Sequence, residues 1–179
     1  MLRELAKLGF RVADEVARQI IQEQVASGGT ALPWSDRQAY TSLMLQRSTE
    51  SYLSCTPASA PVFTDRGIPD SLGYARLIGL EDVAAIESAC RRYRYARLVF
   101  LAPPWKEIYQ TDSERKQDYV EAERTYAVIR GVYQDCGYEI CVLPRIAPVA
   151  RARWVLERLE PSLSQDSEAP NCIHDGITS

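Results

Sequence analysis

Apolar residues gather into four short runs, Phe10 to Ala13, Pro61 to Thr64, Arg97 to Ala102 and Tyr138 to Leu143, and helical stretches separate them. Short apolar runs of this kind read as strands buried on both faces, so the pattern predicts an α/β domain with a parallel sheet covered by helices. The opening "LRELAKLG" predicts a helix with Leu2, Leu5 and Ala6 on one side and Gly9 in the left-handed position that closes it. A second helix carries Val16, Ile20 and Ile21 and stops at Gly28 and Gly29. A third begins at "SDRQ", with Ser35 as the expected cap and Gln38 as its reciprocal partner, and runs on through Tyr40, Leu43 and Met44. "GYARLIG" and "EDVAAIESACRRYRY" form a helical pair ahead of the third strand. A long helix follows, opening at "TDSERKQD", with Tyr119, Ala122, Tyr126, Ile129 and Tyr133 along one side and Gly137 at its end. The last predicted helix starts near Pro148, carries Trp154, Val155 and Leu159, and stops at Pro161. Residues 161–179 are polar and unpatterned, which predicts a disordered tail behind a domain of residues 1–160.

Composition narrows the classes of function. A chain of 179 residues, 46% hydrophobic and 25% charged, can bury one sizeable core. A net charge of -3 and a pI near 5.3 give no overall electrostatic reason to bind nucleic acid or an anionic membrane, so an anionic ligand has to be held by a local site. There is no apolar run of about 18 residues and no signal-peptide pattern, and the expected location is the cytoplasm. Cys55, Cys90, Cys136, Cys141 and Cys172 are scattered without metal-binding or redox spacing, which predicts buried free thiols. With His174 as its one histidine, the chain has almost no material for a histidine-based metal site or triad.

The stretch "PVFTDRG" is an apolar strand that ends in an acid, a base and a glycine. Ligands of open α/β sheets bind beyond the carboxyl ends of the strands, where Asp65 could hold Mg²⁺ and Arg66 could grip a phosphate with two parallel hydrogen bonds. The same pair could serve as a cap and a salt bridge. Glu15 follows the first strand and projects from the same edge, either as a base for an attacking hydroxyl or as an acid favoured by a helix N-terminus. "CRRYRYAR" places Arg92 among four arginines and two tyrosines, a cluster that could bind phosphates or even RNA, or a basic helix end that complements the helix dipole. In "TDSERKQD", Thr111 and Glu114 have the spacing of a capping box, and Arg115 could close over a nucleotide as part of a lid. Trp34, Tyr40, Tyr74 and Trp105 could line a pocket for a planar ring or pack in the core.

Taken in order, "GFRVADEVARQIIQEQ", "ALPWSDRQAY", "VFTDRGIPDSLGYARLIGL", "RRYRYARLVFLAPPWKEIYQTDSERKQDY" and "GYEICVLP" resemble the AAA-type ATPase family named for the NadR ribosylnicotinamide kinase domain. The resemblance implies a three-layer parallel sheet of the P-loop NTPase kinase type, which binds ATP or GTP with Mg²⁺ and transfers phosphate to a small nucleoside-like acceptor. It puts Asp65 and Arg66 at the Walker-B or "DR" position, with Asp65 as the metal ligand, Glu15 at the acidic position after the second family strand, and Arg115 in the lid. Family members begin with a central strand and a GxxxxGK[ST] loop, and no GK[ST] occurs in this sequence. The expectation is therefore a fold lacking its first, central strand and phosphate loop, truncated ahead of Met1, in which the two inner strands have to pair with each other or leave the protein marginal. A nucleotide-responsive switch and an interaction protein that binds no nucleotide are the alternatives to a phosphotransferase. No nucleic-acid or membrane partner is expected.

Overall fold

The computed structural model describes residues 1–55, 60–108, 119–163 and 172–177. Four strands form where the apolar runs predict them: β1 (Arg11–Ala13), β2 (Val62–Asp65), β3 (Leu98–Ala102) and β4 (Glu139–Val142). Between and around them lie α1 (Leu2–Lys7), α2 (Val16–Ser27), α3 (Arg37–Cys55), α4 (Ile68–Ile78), α5 (Ala84–Arg92), α6 (Tyr119–Asp135) and α7 (Pro148–Leu163). Gly9 and Gly28 adopt positive φ at the ends of α1 and α2, as their placement predicts. One cap differs from expectation. Asp36, not Ser35, accepts the Ala39 N–H at 2.9 Å, because the helix starts at Arg37 and the residue just before its first turn is the one whose side chain can reach the third N–H.

The larger difference is in the middle of the sheet. A fifth strand, β5 (Cys172–Ile177), forms in the tail expected to be disordered, and the strand order is β1-β2-β5-β3-β4. All pairings are parallel. β5 lies in register with β2 from Val62↔Cys172 to Asp65↔Asp175, and with β3 from Phe100↔Asp175 to Ala102↔Ile177. The expectation that the two inner strands pair directly with each other is thus corrected. The inner edges of β2 and β3 present backbone N–H and C=O groups that must be paired when buried, and the chain's own C-terminal segment pairs them. α7 likewise continues past Pro161 to Leu163.

Alternate residues of the inner strands enter two separate cores. Val62, Val99 and Leu101 pack with Leu72, Ile129, Val132 and Tyr133, whereas Phe63, Phe100 and Ala102 pack with Leu5, Val155 and Leu159. This is the period-2 alternation of strands buried on both faces. Leu5 is wholly buried, so the short α1 gains its stability from the second core rather than from its own propensity. A third cluster of Ile20, Tyr40 and Met44 joins α2 to α3. Cys55 and Cys90 are buried free thiols, and Cys136 and Cys141 are partly buried and free. No helix among the described residues is long and apolar enough to cross a membrane.

Candidate functional site

Because every strand runs the same way, the residues that follow β1 and β2 emerge together at one edge of the sheet. Glu15 stands immediately before α2 without capping it, and its carboxylate instead accepts a 2.8 Å hydrogen bond from Arg66 Nε. The Arg66 guanidinium also lies 3.6 Å from Asp70 Oδ1. Burial works against its charge, but Glu15, Asp70 and Asp65 together hold Arg66 protonated above its ordinary range. Three of the residues singled out in the sequence, Glu15, Asp65 and Arg66, are therefore brought to one place.

Arg66 occupies this position at a conformational cost. Its φ of 69° is the one positive value among the described non-glycine residues, a left-handed conformation that costs about 1 to 2 kcal/mol. The surrounding contacts over-determine it. Asp70 Oδ2 accepts both the Gly67 N–H at 2.9 Å and the Tyr133 hydroxyl at 2.6 Å, while Tyr95 Oη accepts the Ile68 N–H at 3.2 Å. Burial, reinforced by the Asp70 charge, keeps the Tyr133 phenol protonated. The sequence gives no sign that Asp70, Tyr95 and Tyr133 meet at this turn: Tyr133 reads only as one side of the long helix and Tyr95 as one of the two tyrosines of "CRRYRYAR". The spacing of Gly67 and Asp70 is a readable helix-start signal, but the two tyrosines come from β3's approach and α6 and meet the turn only in three dimensions.

Gly67 has ordinary extended backbone, so its constraint is space. A Cβ there would lie 2.8 Å from the Tyr95 ring. Gly67→Ala is expected to displace Tyr95, forfeit the bond to Ile68 and destabilise the fold by about 1 to 3 kcal/mol. A urea midpoint equal to that of the unmodified protein would show that the turn can shift freely.

Asp65 ends β2. Its Oδ1 is buried without a hydrogen-bond partner, and it borders a hollow of about 10 Å³ shared with Asp14, Ser48 and Thr64. Burial first, and then the Glu15 charge, push its carboxyl up to about 7, with Arg66 acting in the opposite direction. An orphaned carboxylate oxygen beside a hollow near the size of one water fits a hard cation or its bound water. Among the described residues no three acidic, histidine or cysteine side chains gather as a metal cage.

Beside this turn opens a cleft of about 520 Å³ between α2 and α3 on one side and α4 and α6 on the other. Glu15 and Arg66 face into it, with Trp34, Tyr40 and Tyr74 along its walls. The Tyr40 and Tyr74 rings meet edge to face at 5.2 Å. Trp105 is not part of it and lies under the Arg151 guanidinium at 5.8 Å. Arg92 is not brought to the site either. It ends α5, which leads into the start of β3 at the opposite edge of a parallel sheet, and it stacks over Tyr93 at 5.3 Å. Arg115 and the capping pair Thr111 and Glu114 lie outside the described residues.

A family model described as an AAA domain matches residues 1–151. No curated protein and no solved structure matches the chain.

Proposed function

The chain belongs to the AAA domain family, a family of P-loop NTPases, and we propose that it forms the metal and acceptor side of a nucleotide-dependent phosphotransferase with the three-layer fold of P-loop kinases. The observation that carries this reading is the meeting of Glu15, Asp65 and Arg66 where β1 and β2 end, at the mouth of an aromatic cleft. The two separate cores fed by alternate residues of β2 and β3 support the layered fold.

Asp65 is the residue that would hold Mg²⁺, whose charge, when bound, offsets that of a transferring phosphoryl group. Glu15 faces the cleft, where it can take the proton of an acceptor hydroxyl. Arg66 holds the Glu15 carboxylate in place through their 2.8 Å ion pair. Arg115 belongs to this reading as a lid residue, from the resemblance alone. The phosphate-cradling part does not fit the residues present: no GK[ST] occurs among the 179, so neither the lysine nor the metal-binding hydroxyl of that loop is supplied by them.

One observation favours the alternative of an interaction protein that binds no nucleotide. β5 lies between β2 and β3, where the resemblance puts the family's loop-bearing strand, so a segment of this chain pairs both inner strands. Calorimetry separates the two readings. The 179-residue chain is expected to bind Mg-ATP and Mg-GTP more weakly than about 100 µM, because the backbone cradle is missing. A form extended at its N-terminus by a strand and GxxxxGK[ST] loop is expected to bind them and transfer phosphate. In that form Glu15→Gln should keep nucleotide affinity and lose transfer by roughly two orders of magnitude. Absence of binding by the extended form would reject the phosphotransferase reading, and unchanged transfer would reject the role of Glu15.

A further inference from the structure

The cleft beside Glu15 contains a cation that the proposed chemistry does not use. Its volume of about 520 Å³ is that of a small-molecule site. Most of its charges already answer one another: Glu15 is bound to Arg66 at 2.8 Å and lies 3.9 Å from Arg18, and Asp70 is held by Arg66, the Gly67 N–H and the Tyr133 hydroxyl. Glu121 stands on the α6 wall. Arg37 differs. It is the first residue of α3, it is exposed, and among the described residues its guanidinium makes no ion pair or hydrogen bond. Arg47, on the same helix, binds Glu23 at 3.0 Å, so the lack of a partner is not general to α3.

The position of Arg37 relative to the aromatic wall gives it a use. It lies close enough to the Tyr74 hydroxyl to oppose the effect of burial on that phenol. Trp34, three residues earlier, is half exposed at the lip of the same cleft. The N-terminus of α3 is not itself the anion site, since the Asp36 carboxylate already accepts the Ala39 N–H at 2.9 Å. An unpaired guanidinium with five donors in a planar fork matches a phosphate or carboxylate by two parallel bonds, and flat aromatic walls match a ring.

We propose that the cleft takes a planar aromatic compound bearing an anionic group, a phosphomonoester or a carboxylate, with its ring among Trp34, Tyr40 and Tyr74 and its anion on Arg37. This rests on reading the cleft as the acceptor side of the phosphotransferase, and it narrows the acceptor to an anionic one.

The test is a calorimetric titration of the full chain, without nucleoside triphosphate or divalent cation, against 1-naphthyl phosphate, 1-naphthoate, 1-naphthol and inorganic phosphate. At least one of the two naphthyl anions is expected to bind tenfold or more tighter than naphthol and than inorganic phosphate, and the tighter of the two identifies the anion. Arg37→Ala should bring that anion to within twofold of naphthol while leaving the melting temperature unchanged, and Arg37→Lys should restore part of the difference. Equal binding of naphthol, binding of inorganic phosphate as tight as that of the naphthyl anions, preference unaltered in Arg37→Ala, or no binding by any probe would each overturn the proposal. None of these outcomes involves Mg-ATP, so the phosphotransferase reading stands or falls on its own assay.

Discussion

Ending the chain at Leu163 is expected to abolish cooperative unfolding. That deletion removes β5, whose backbone pairs Val62 to Asp65 on one side and Phe100 to Ala102 on the other. The strands it leaves are buried, with Val62, Phe63, Val99, Phe100 and Leu101 all nearly inaccessible to solvent. A buried backbone group left unpaired costs about 1 to 3 kcal/mol. Losing around five such pairings would equal or exceed the roughly 5 to 15 kcal/mol that stabilises a typical domain. The expected readout is a broad, non-cooperative thermal transition by circular dichroism with loss of dispersed amide resonances. Ile173→Pro supplies a milder version in the full-length chain, because Ile173 is in register with Phe63 and proline cannot donate to a central ladder. If the truncated protein melts as sharply and at the same temperature as the full chain, β2 and β3 have closed on each other and β5 is dispensable.

The second large effect is a gain in stability. With its folded pKa raised from 3.8 to about 7, Asp65 keeps its proton in the folded state where the unfolded chain has already lost it. The folded state therefore binds more protons, so the group does no harm below about pH 4, and stability drains away as the pH rises from there through about 7. The full linkage is about 4 kcal/mol. Access of solvent to a partly buried carboxylate reduces the expected loss to roughly 2 to 4 kcal/mol. Asp65→Asn removes the titration while keeping the shape. Its melting temperature should match the unmodified protein near pH 4 and exceed it by roughly 5 to 15 °C at pH 8. Adding Mg²⁺ at pH 8 should raise the melting temperature of the unmodified protein and leave that of Asp65→Asn where it is. A constant difference between the two proteins across pH 4 to 8 would mean that Asp65 ionises normally, and an equal response to Mg²⁺ would remove Asp65 as its ligand.

Both effects arise at places where the chain's local pattern was a poor guide. The four apolar strands were legible to within a residue or so, because a strand buried on both faces is apolar along its whole length and is recognisable without its neighbours. The helices between them were legible for a similar reason, since their spacing and glycine stops are local properties. Asp65, Arg66 and Glu15 could be placed at one sheet edge from strand direction alone. That Arg66 would adopt a left-handed backbone and bind Glu15 at 2.8 Å could not, because the contacts enforcing it come from α4, α6 and the residues before β3.

Other features depended wholly on the assembled molecule. The pairing state of Arg37 and the division of the aromatics, with Trp34, Tyr40 and Tyr74 in the cleft and Trp105 beneath Arg151, depend on how helices distant in sequence pack. β5 is the extreme case. "CIHDGI" has no alternation, carries a glycine that weakens a strand, and would form nothing alone. It becomes a strand because β2 and β3 offer unpaired ladders on both sides of one slot. Local sequence determined the strands, helices and acidic edge of this protein, since those follow from side-chain period and burial. The tertiary structure decided what fills the centre of the sheet, since backbone hydrogen bonding takes whatever segment can reach the gap, whether or not its side chains favour a strand.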